Sequence, residues 1–403
     1  MNESEKREEH QLSGDKRNKA VFIYDPRCTA YRFHDGHPFN QRRVTWSYQL
    51  LRQGNWLSDE EMVLPPSLDE HQLSLVHDAG YVEAIRSAQH DLINRRTYGF
   101  DEDTPCFEGM HEAARQICAG SVHAVDQVML HDRRALHLAG GLHHAHAARA
   151  SGFCIYNDAA LAIAHARDVY GLRVLYIDTD VHHGDGVQWL FYSDPDVFTY
   201  SIHETGKFLF PGTGSVTERG VEQGFGTTLN VPIAPYTEDD SWLECFQETI
   251  EVAAAAFQPD LIISQHGCDA HAYDPLSHIY CSMRIYAEMP KIIRRLADRY
   301  CKGKWVALGG GGYDHHRVVP RAWGLLWLVM KQHPLADSLG HADRLPADWI
   351  EDMQQKTSLS IPTTWLDAKN AWAPMPRREI IVKENRAVKE LARSYYSSFI
   401  QPS

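Results

Sequence analysis

Short apolar runs rich in β-branched and aromatic residues alternate along the chain with longer segments whose apolar positions recur at helical spacing. The runs 20–24, 134–138, 174–178, 197–202, 260–264 and 305–308 have the length and composition of strands buried on both faces. Residues 46–51, 81–88, 111–130, 159–170, 240–257, 289–300 and 384–396 read as helices. Asn157 or Asp158 can cap the helix 159–170, and Gly171 ends it. Strand, helix and strand in succession is the signature of a parallel sheet with helices on its faces. The chain is therefore predicted to be α/β, a single three-layer domain with a mainly parallel central β-sheet. Residues 96–109 are rich in turn formers and read as a surface loop.

In such sheets ligands bind beyond the carboxyl ends of the strands, and the chemically loaded segments of this chain follow its predicted strands. The densest is Asp178-Thr-Asp180-Val-His182-His183-Gly-Asp185, three carboxylates and two imidazoles directly after an apolar run. If the strand continued that far, Asp178, Asp180 and His182 would share one face. Other loaded segments are Gly140-Gly-Leu-His143-His144, Gln265-His-Gly-Cys-Asp269-Ala-His271 and Gly309-Gly-Gly-Gly312-Tyr313.

Bulk composition narrows the setting. Acidic residues outnumber basic ones by 53 to 40, for a net charge of −13, and no basic run stands out. That argues against a general binder of nucleic acid or anionic membranes. The eight cysteines are scattered with no C-x-x-C pair, which reads as reduced thiols. No stretch reaches the roughly 18 apolar residues of a membrane span, and the polar start has no signal-peptide core. A cytoplasmic protein is expected. Residues 1–19 read as a disordered charged tail, 20–375 as one domain, and 376–403 as a helical extension packed on it. The 24 histidines are the unusual feature, and many fall within 136–203.

The chemistry starts with a cation. Asp180 and His182 lie at one strand end, and Asp269 just past another. Two carboxylates and one imidazole, with a position left open, describe a catalytic metal site rather than a closed structural one. Zinc suits that set, and Fe(II), Co(II) or Mn(II) are compatible with its oxygen-rich ligands. Two carboxylates neutralise a divalent ion and weaken it as a Lewis acid, so other groups must move protons and hold an oxyanion. The pair His143-His144 can act as acid and base. Asp178 and Asp185, left over from metal binding, can orient those imidazoles. Tyr313, presented by four glycines, is the candidate oxyanion donor.

Taken together these segments resemble the histone deacetylase superfamily, whose fold is shared with arginase. The matching pieces are His37-Pro-Phe-Asn-Gln, Gly140-Gly-Leu-His143-His144-Ala, Ser151-Gly-Phe-Cys-Ile-Tyr-Asn157-Asp158, Ile177-Asp-Thr-Asp-Val-His-His-Gly-Asp-Gly186, Phe210-Pro-Gly-Thr-Gly214, Gly267-Cys-Asp-Ala-His271 with Asp274-Pro-Leu276, and Gly309-Gly-Gly-Gly-Tyr313. They occur in family order across about residues 20–320, and the His-Pro-Phe-Asn-Gln opening is most similar to prokaryotic acetoin utilisation deacetylases. The resemblance implies zinc on Asp180, His182 and Asp269, and a proton-transfer pair His143 and His144 backed by Asp178 and Asp185. It also implies a carbonyl-polarising Tyr313, an acyl-lysine tunnel at Gly152, Phe153 and Phe210, and a rim aspartate at Asp103. Some relatives bind potassium, here implied near Asp178, Ser201 and Ile202. Asp314 stands where many relatives have Asn, and His315-His316 follow it, departures that bear on substrate choice.

The implied reaction is removal of an acetyl or other acyl group from the ε-nitrogen of lysine in a protein or peptide. An acetylpolyamine amidohydrolase is the alternative on the same scaffold. An arginase-type dimanganese hydrolase is disfavoured because the sequence offers ligands for one metal. A catalytically dead acyl-lysine reader is disfavoured because the whole constellation is present. His137, His165, His266 and His278 read as structural, His271 as structural or supporting the metal site, and His183 has no assigned role. Physiological substrate and oligomeric state are left open.

Overall fold

The structure is a computed structural model that describes residues 20–87 and 96–396. The tail 1–19, the last residue of the predicted helix 81–88 and the end of the 376–403 extension lie outside the described residues. In chain order the main elements are β1 (Ala20–Ile23), α1 (Arg42–Gln53), β2 (Met62–Val63), α2 (Ala79–Ser87), α3 (Met110–His131) and β3 (Arg134–His137). Then come α4 (Asp158–Tyr170), β4 (Val174–Asp178), α5 (Asp185–Leu190), β5 (Val197–Glu204), β6 (Thr228–Ile233), α6 (Asp239–Phe257) and β7 (Leu261–Gln265). The chain finishes with α7 (Met283–Tyr300), β8 (Trp305–Leu308), α8 (Val319–Met330), α9 (Pro334–Ser338), α10 (Ala347–Gln354) and α11 (Arg378–Ser394).

The strands form one eight-stranded sheet in the order β2-β1-β3-β8-β7-β4-β5-β6, and every pairing is parallel. Strands β1, β3, β4, β5, β7 and β8 are buried at every position, because helices cover both faces. Register then does the positioning. His137 pairs with Leu308, Leu308 with Gln265, Gln265 with Asp178, and Asp178 with Ser201. These residues form a row across the sheet near the carboxyl ends of five strands. The loops that leave this row carry the candidate site.

The helices follow from sequence periodicity. In α7, Ile285, Met289, Ile292, Ile293 and Leu296 are buried at i, i+4, i+7, i+8 and i+11. Each such side chain contributes about 1.5–3 kcal/mol on burial. Asn157 caps α4 by accepting from Ala160 N at 2.9 Å, and Gly171 ends it with φ of +65°.

Among the departures from the sequence expectation, four bear most on the sheet and its loops. Strand β4 stops at Asp178, so Asp180 and His182 are carried by the following loop rather than by continued alternation. Helix α7 starts at Met283, six residues before the expected 289, and passes through Pro290. Helix α8 and strand β6 were not anticipated. Helix α8 is buried at every position, so it lacks a polar face that would reveal its period. Strand β6 holds Pro232 and lies at the sheet edge, where a missing N–H is tolerated.

Helix α11 docks on α6 and β6. Asn385 is buried, accepts from Ala234 N at 2.8 Å and donates to Thr237 at 2.7 Å and Ser241 at 2.9 Å. Lys389 reaches Glu244 at 2.7 Å and Glu248 at 3.0 Å. The Arg386 hydrogen bond pulls the Glu244 carboxyl down to about 2, against burial and with help from Lys389. Because the folded pKa is depressed, this contribution is complete above the ordinary value of 4.5 and is lost as pH falls toward about 2. Glu244→Gln should therefore flatten the decline of Tm with pH across that window, and should cost less than about 1 kcal/mol near neutrality. Thermal melts of both proteins from pH 6 down to about 2.5 read this directly.

Candidate active site

Asp180, His182 and Asp269 come from the β4 and β7 loops, and all three are buried. One potential ligand atom from each lies within 4.8 Å of the others. His182 Nδ1 sits 3.0 Å from Asp180 Oδ1 and 3.2 Å from Asp269 Oδ2. The outer oxygens are fixed by protein donors. Asp180 Oδ2 accepts from Gln265 Nε2 at 2.8 Å and Gly311 N at 2.7 Å, and Asp269 Oδ1 accepts from Val181 N at 2.9 Å.

This cluster fits a divalent cation. Burial raises the Asp269 carboxyl, and the neighbouring Asp180 charge adds to that rise. Burial opposes charge on His182, yet the hydrogen bonds to Asp180 and Asp269 hold its pKa up at about 10. Concentrated buried negative charge thus draws a proton where no metal is present, and a divalent ion would take that proton's place. The backbone leaves room for no more than this, since a Cβ at Gly311 would lie 2.1 Å from Asp269 Oδ2 and 2.8 Å from Asp180 Oδ2. Among the described residues this is the one such cluster of His, Cys, Asp and Glu.

Beside the cluster stand two imidazole–carboxylate pairs. His143 Nδ1 donates to Asp178 Oδ2, and His144 Nδ1 to Asp185 Oδ1, each at 2.7 Å. Tyr176 OH also donates to Asp178, at 2.8 Å. The two ring centres are 4.0 Å apart, too close for both to carry charge comfortably. Burial disfavours the His143 cation, but Asp178 and Asp180 outweigh it and push His143 up to about 9. Burial and the His143 charge pull His144 down to about 4. The pair therefore holds one proton in reserve behind one neutral base.

Tyr313 completes the group. Its ring lies 6.5 Å from that of His182 and 5.9 Å from that of Phe153. Burial, then the charges of Asp269 and Asp180, raise the phenol well above its usual value, so the hydroxyl stays protonated as a donor. The side chains of His144, His182 and Tyr313 open into a cavity of about 420 Å³ walled by Gly152, Phe153 and Phe210, with Asp103 at its mouth. Phe210 packs edge-on to His144 at 5.0 Å. Gly152 and Phe153 both hold positive φ, +50° and +68°, which turns the chain sharply at this wall. A Cβ at Gly152 would stand 2.5 Å from His144, so this wall closely approaches the imidazole.

All the expected residues except Ser201 and Ile202 thus gather around one cavity, directly or through one or two contacts. Ser201 Oγ is bonded to His203 at 2.8 Å, and both oxygens of Asp178 accept hydrogen bonds. The histidines read as structural each find a partner: His137 with Ser121, His165 with Asp126, His266 with Ser264 and His278 with Glu204. His271 is bonded to Asp367 at 3.0 Å, which ties the Asp269 loop to the C-terminal segment.

Several supports have no counterpart in the sequence reading. Asp158 accepts from Gly141 N and Leu142 N, at 3.0 and 2.7 Å, and Asn157 donates to the carbonyls of His143 and Ala145. Together they hold the histidine-pair loop. Gln265 clamps Asp180, Asp274 accepts from Tyr313 N at 2.7 Å, and buried Arg43 donates to Gly312 O at 2.8 Å. Asn157, Asp158 and Asp274 lay inside recognised motifs and Gln265 opened a loaded segment without an assigned role, whereas Arg43 gave no local signal.

A larger cavity of about 490 Å³ lies between α6 and the C-terminal segment. Its acidic side chains are engaged, Asp239 by Ser282, Asp240 by Arg284 and Glu238 by Arg378.

Comparison with known proteins bears on the family and the fold. A family model described as the histone deacetylase domain matches residues 37–330. The chain is 48% identical over 373 residues to the acetoin utilization protein AcuC of Bacillus subtilis (strain 168), a match covering 91% of this chain and 94% of that protein. It is 44% identical over 386 residues to the protein of the same name from Staphylococcus aureus (strain MSSA476), with 94% and 98% covered. Among solved structures, an HDAC homolog from Aquifex aeolicus superposes with a TM-score of 0.80 at 25% identity, covering 91% of this chain and all of the other. An HDAC homolog complexed with SAHA gives a TM-score of 0.81 at 26% identity, with 92% of this chain covered.

Proposed function

Because the chain belongs to the histone deacetylase family, whose members are metal-dependent amide hydrolases, we propose that it removes acetyl groups from the ε-nitrogen of lysine in proteins. The observation that carries this reading is the convergence of His144, His182 and Tyr313 at one aromatic-walled cavity. Aromatic faces suit a lysine's four-carbon chain, and the cavity would bring its acyl group to the polar end. Residues 20–375 are taken as the catalytic domain, with 376–403 as an extension of it.

Asp180, His182 and Asp269 would hold the ion, with zinc the best match and Fe(II) an alternative. When bound, it would polarise the acetyl carbonyl and lower the pKa of water. The residues of the chain do the rest. Neutral His144 takes a proton from the attacking water while Asp185 holds its tautomer. His143, charged and paired with Asp178, stabilises the anionic charge that builds up nearby. The hydroxyl of Tyr313 donates to the carbonyl oxygen as it gains charge. Return of the proton from His144 to the lysine nitrogen lets the C–N bond break, giving acetate and a free amine.

The exposed carboxylates of Asp101 and Asp103, which line the cavity, favour a second reading, an acetylpolyamine as substrate. Turnover of an acetyl-lysine peptide against that of acetylspermidine separates the two. The protein reading expects at least about tenfold higher kcat/KM on the peptide, a preference of about 1.4 kcal/mol. A preference for acetylspermidine would reverse it.

A further inference from the structure

His183 follows a candidate metal ligand, yet its ring turns away from the cluster and is almost wholly buried. Its Nε2 lies 2.9 Å from Gln188 Oε1, and its Nδ1 lies 2.8 Å from Thr213 Oγ1. The direction of this chain is set by its far end. Gln188 Nε2 donates to the Glu218 carboxylate at 2.7 Å, and Gln188 Oε1 already accepts from Asn230 Nδ2 at 2.7 Å. Gln188 therefore presents an acceptor to His183, so Nε2 carries the ring's hydrogen and Nδ1 accepts from the Thr213 hydroxyl.

The same turn is gripped a second time. Glu218 accepts from Gly214 N at 3.2 Å and Ser215 N at 3.1 Å. Gly214, at φ of +87°, lies flat against two imidazoles: a Cβ there would come within 2.3 Å of His203 and 2.8 Å of His183. The turn so held is Phe210-Pro-Gly-Thr-Gly214, and its first residue is the wall that packs on His144. Phe210 itself is 47% exposed, so its own packing does little to fix it. The loop's hold on its base has to supply that order.

We propose that His183 is a positioning residue that, through Thr213, fixes the 210–214 turn and so sets Phe210 as one wall of the substrate cavity. The consequence for turnover rests on the deacetylase reading above, but the clamp itself does not. Misplacing a wall weakens substrate binding more than the chemistry, because neither His183 nor Thr213 touches the reacting atoms.

The test uses Thr213→Val, Thr213→Ser and His183→Ala in the full chain. Thr213→Val and His183→Ala should each raise KM for an acetyl-lysine peptide roughly tenfold with kcat within about twofold, since both break the hydrogen bond between His183 and Thr213. The double variant should be no worse than the more affected single one, and Thr213→Ser should restore KM. Metal content should stay at the wild-type level throughout. In hydrogen exchange, amides of 207–215 should exchange faster in Thr213→Val and return to normal in Thr213→Ser. Wild-type KM and exchange in both Thr213→Val and His183→Ala would overturn the proposal. Metal loss in His183→Ala with KM unchanged would overturn it as well, making His183 a prop for the ligand loop. If the wild type fails to turn over acetyl-lysine at all, the functional reading falls, and the exchange comparison alone decides the clamp.

Discussion

Replacing His144 by alanine is expected to lower kcat on an acetyl-lysine peptide by about three to four orders of magnitude, the upper range for one general acid–base group, while bound metal is retained. His144 is the member of the histidine pair that opens into the cavity, and its Nδ1 is committed to Asp185 at 2.7 Å, leaving Nε2 for the substrate. It is also the member held neutral, by burial and by the His143 charge 4.0 Å away. Among the described residues no other imidazole opens into the cavity except His182, which faces Asp180 and Asp269. His143 is backed by a different carboxylate and carries the opposite protonation state, so it does not substitute. Steady-state kinetics with metal analysis of the same preparation reads this result. Loss of metal in His144→Ala would mean that a ligand had been mistaken for a proton carrier.

Tyr313→Phe is expected to cost kcat about two to three orders of magnitude with KM little changed, the loss typical of one oxyanion donor. The phenol is kept protonated by burial and by the two ligand carboxylates, so it can give a hydrogen bond but cannot act as a base. Its placement is built rather than incidental: Asp274 holds its backbone N–H, and Arg43 holds the preceding carbonyl while lying against the rings of Phe39 and Trp323. Because the variant keeps the ring and its contact with Phe153, a fall in kcat isolates the hydroxyl. Wild-type turnover in Tyr313→Phe would remove the tyrosine from the chemistry.

The proton relay was legible in the sequence because its parts are close together and chemically distinctive. Of the three carboxylates at and just after the end of β4, Asp180 was needed for a cation, and the remaining Asp178 and Asp185 had few plausible partners apart from His143 and His144. The structure pairs them in that way. What stayed hidden depends on approach between distant segments. Gln265 belongs to a buried strand and looks like a lone polar residue, yet register with Asp178 carries its amide to Asp180. His183 could be interpreted only once the 210–214 turn had folded over it.

The fold shows the same division. Strand β8 was found at its true limits because a buried run ends there in glycines. Helix α8 carries apolar residues on every face, and periodicity cannot reveal a helix without a polar side. The early start of α7 escaped notice because Pro290 reads as a break, although the Ser282 cap accepting from Arg284 N at 3.1 Å marks the true beginning. Charge on the 1–19 segment suggested a solvated tail, which lies outside the described residues.

On the proposed reading, a cation held by Asp180, His182 and Asp269 drives lysine deacetylation at this site. This role is tested most directly by stripping the protein with a chelator, dialysing the chelator away and assaying an acetyl-lysine peptide before and after adding zinc back. Activity should fall to background and return as bound metal rises to about one ion per chain. Undiminished activity in protein shown by elemental analysis to be metal-free would rule out a metal-driven reaction.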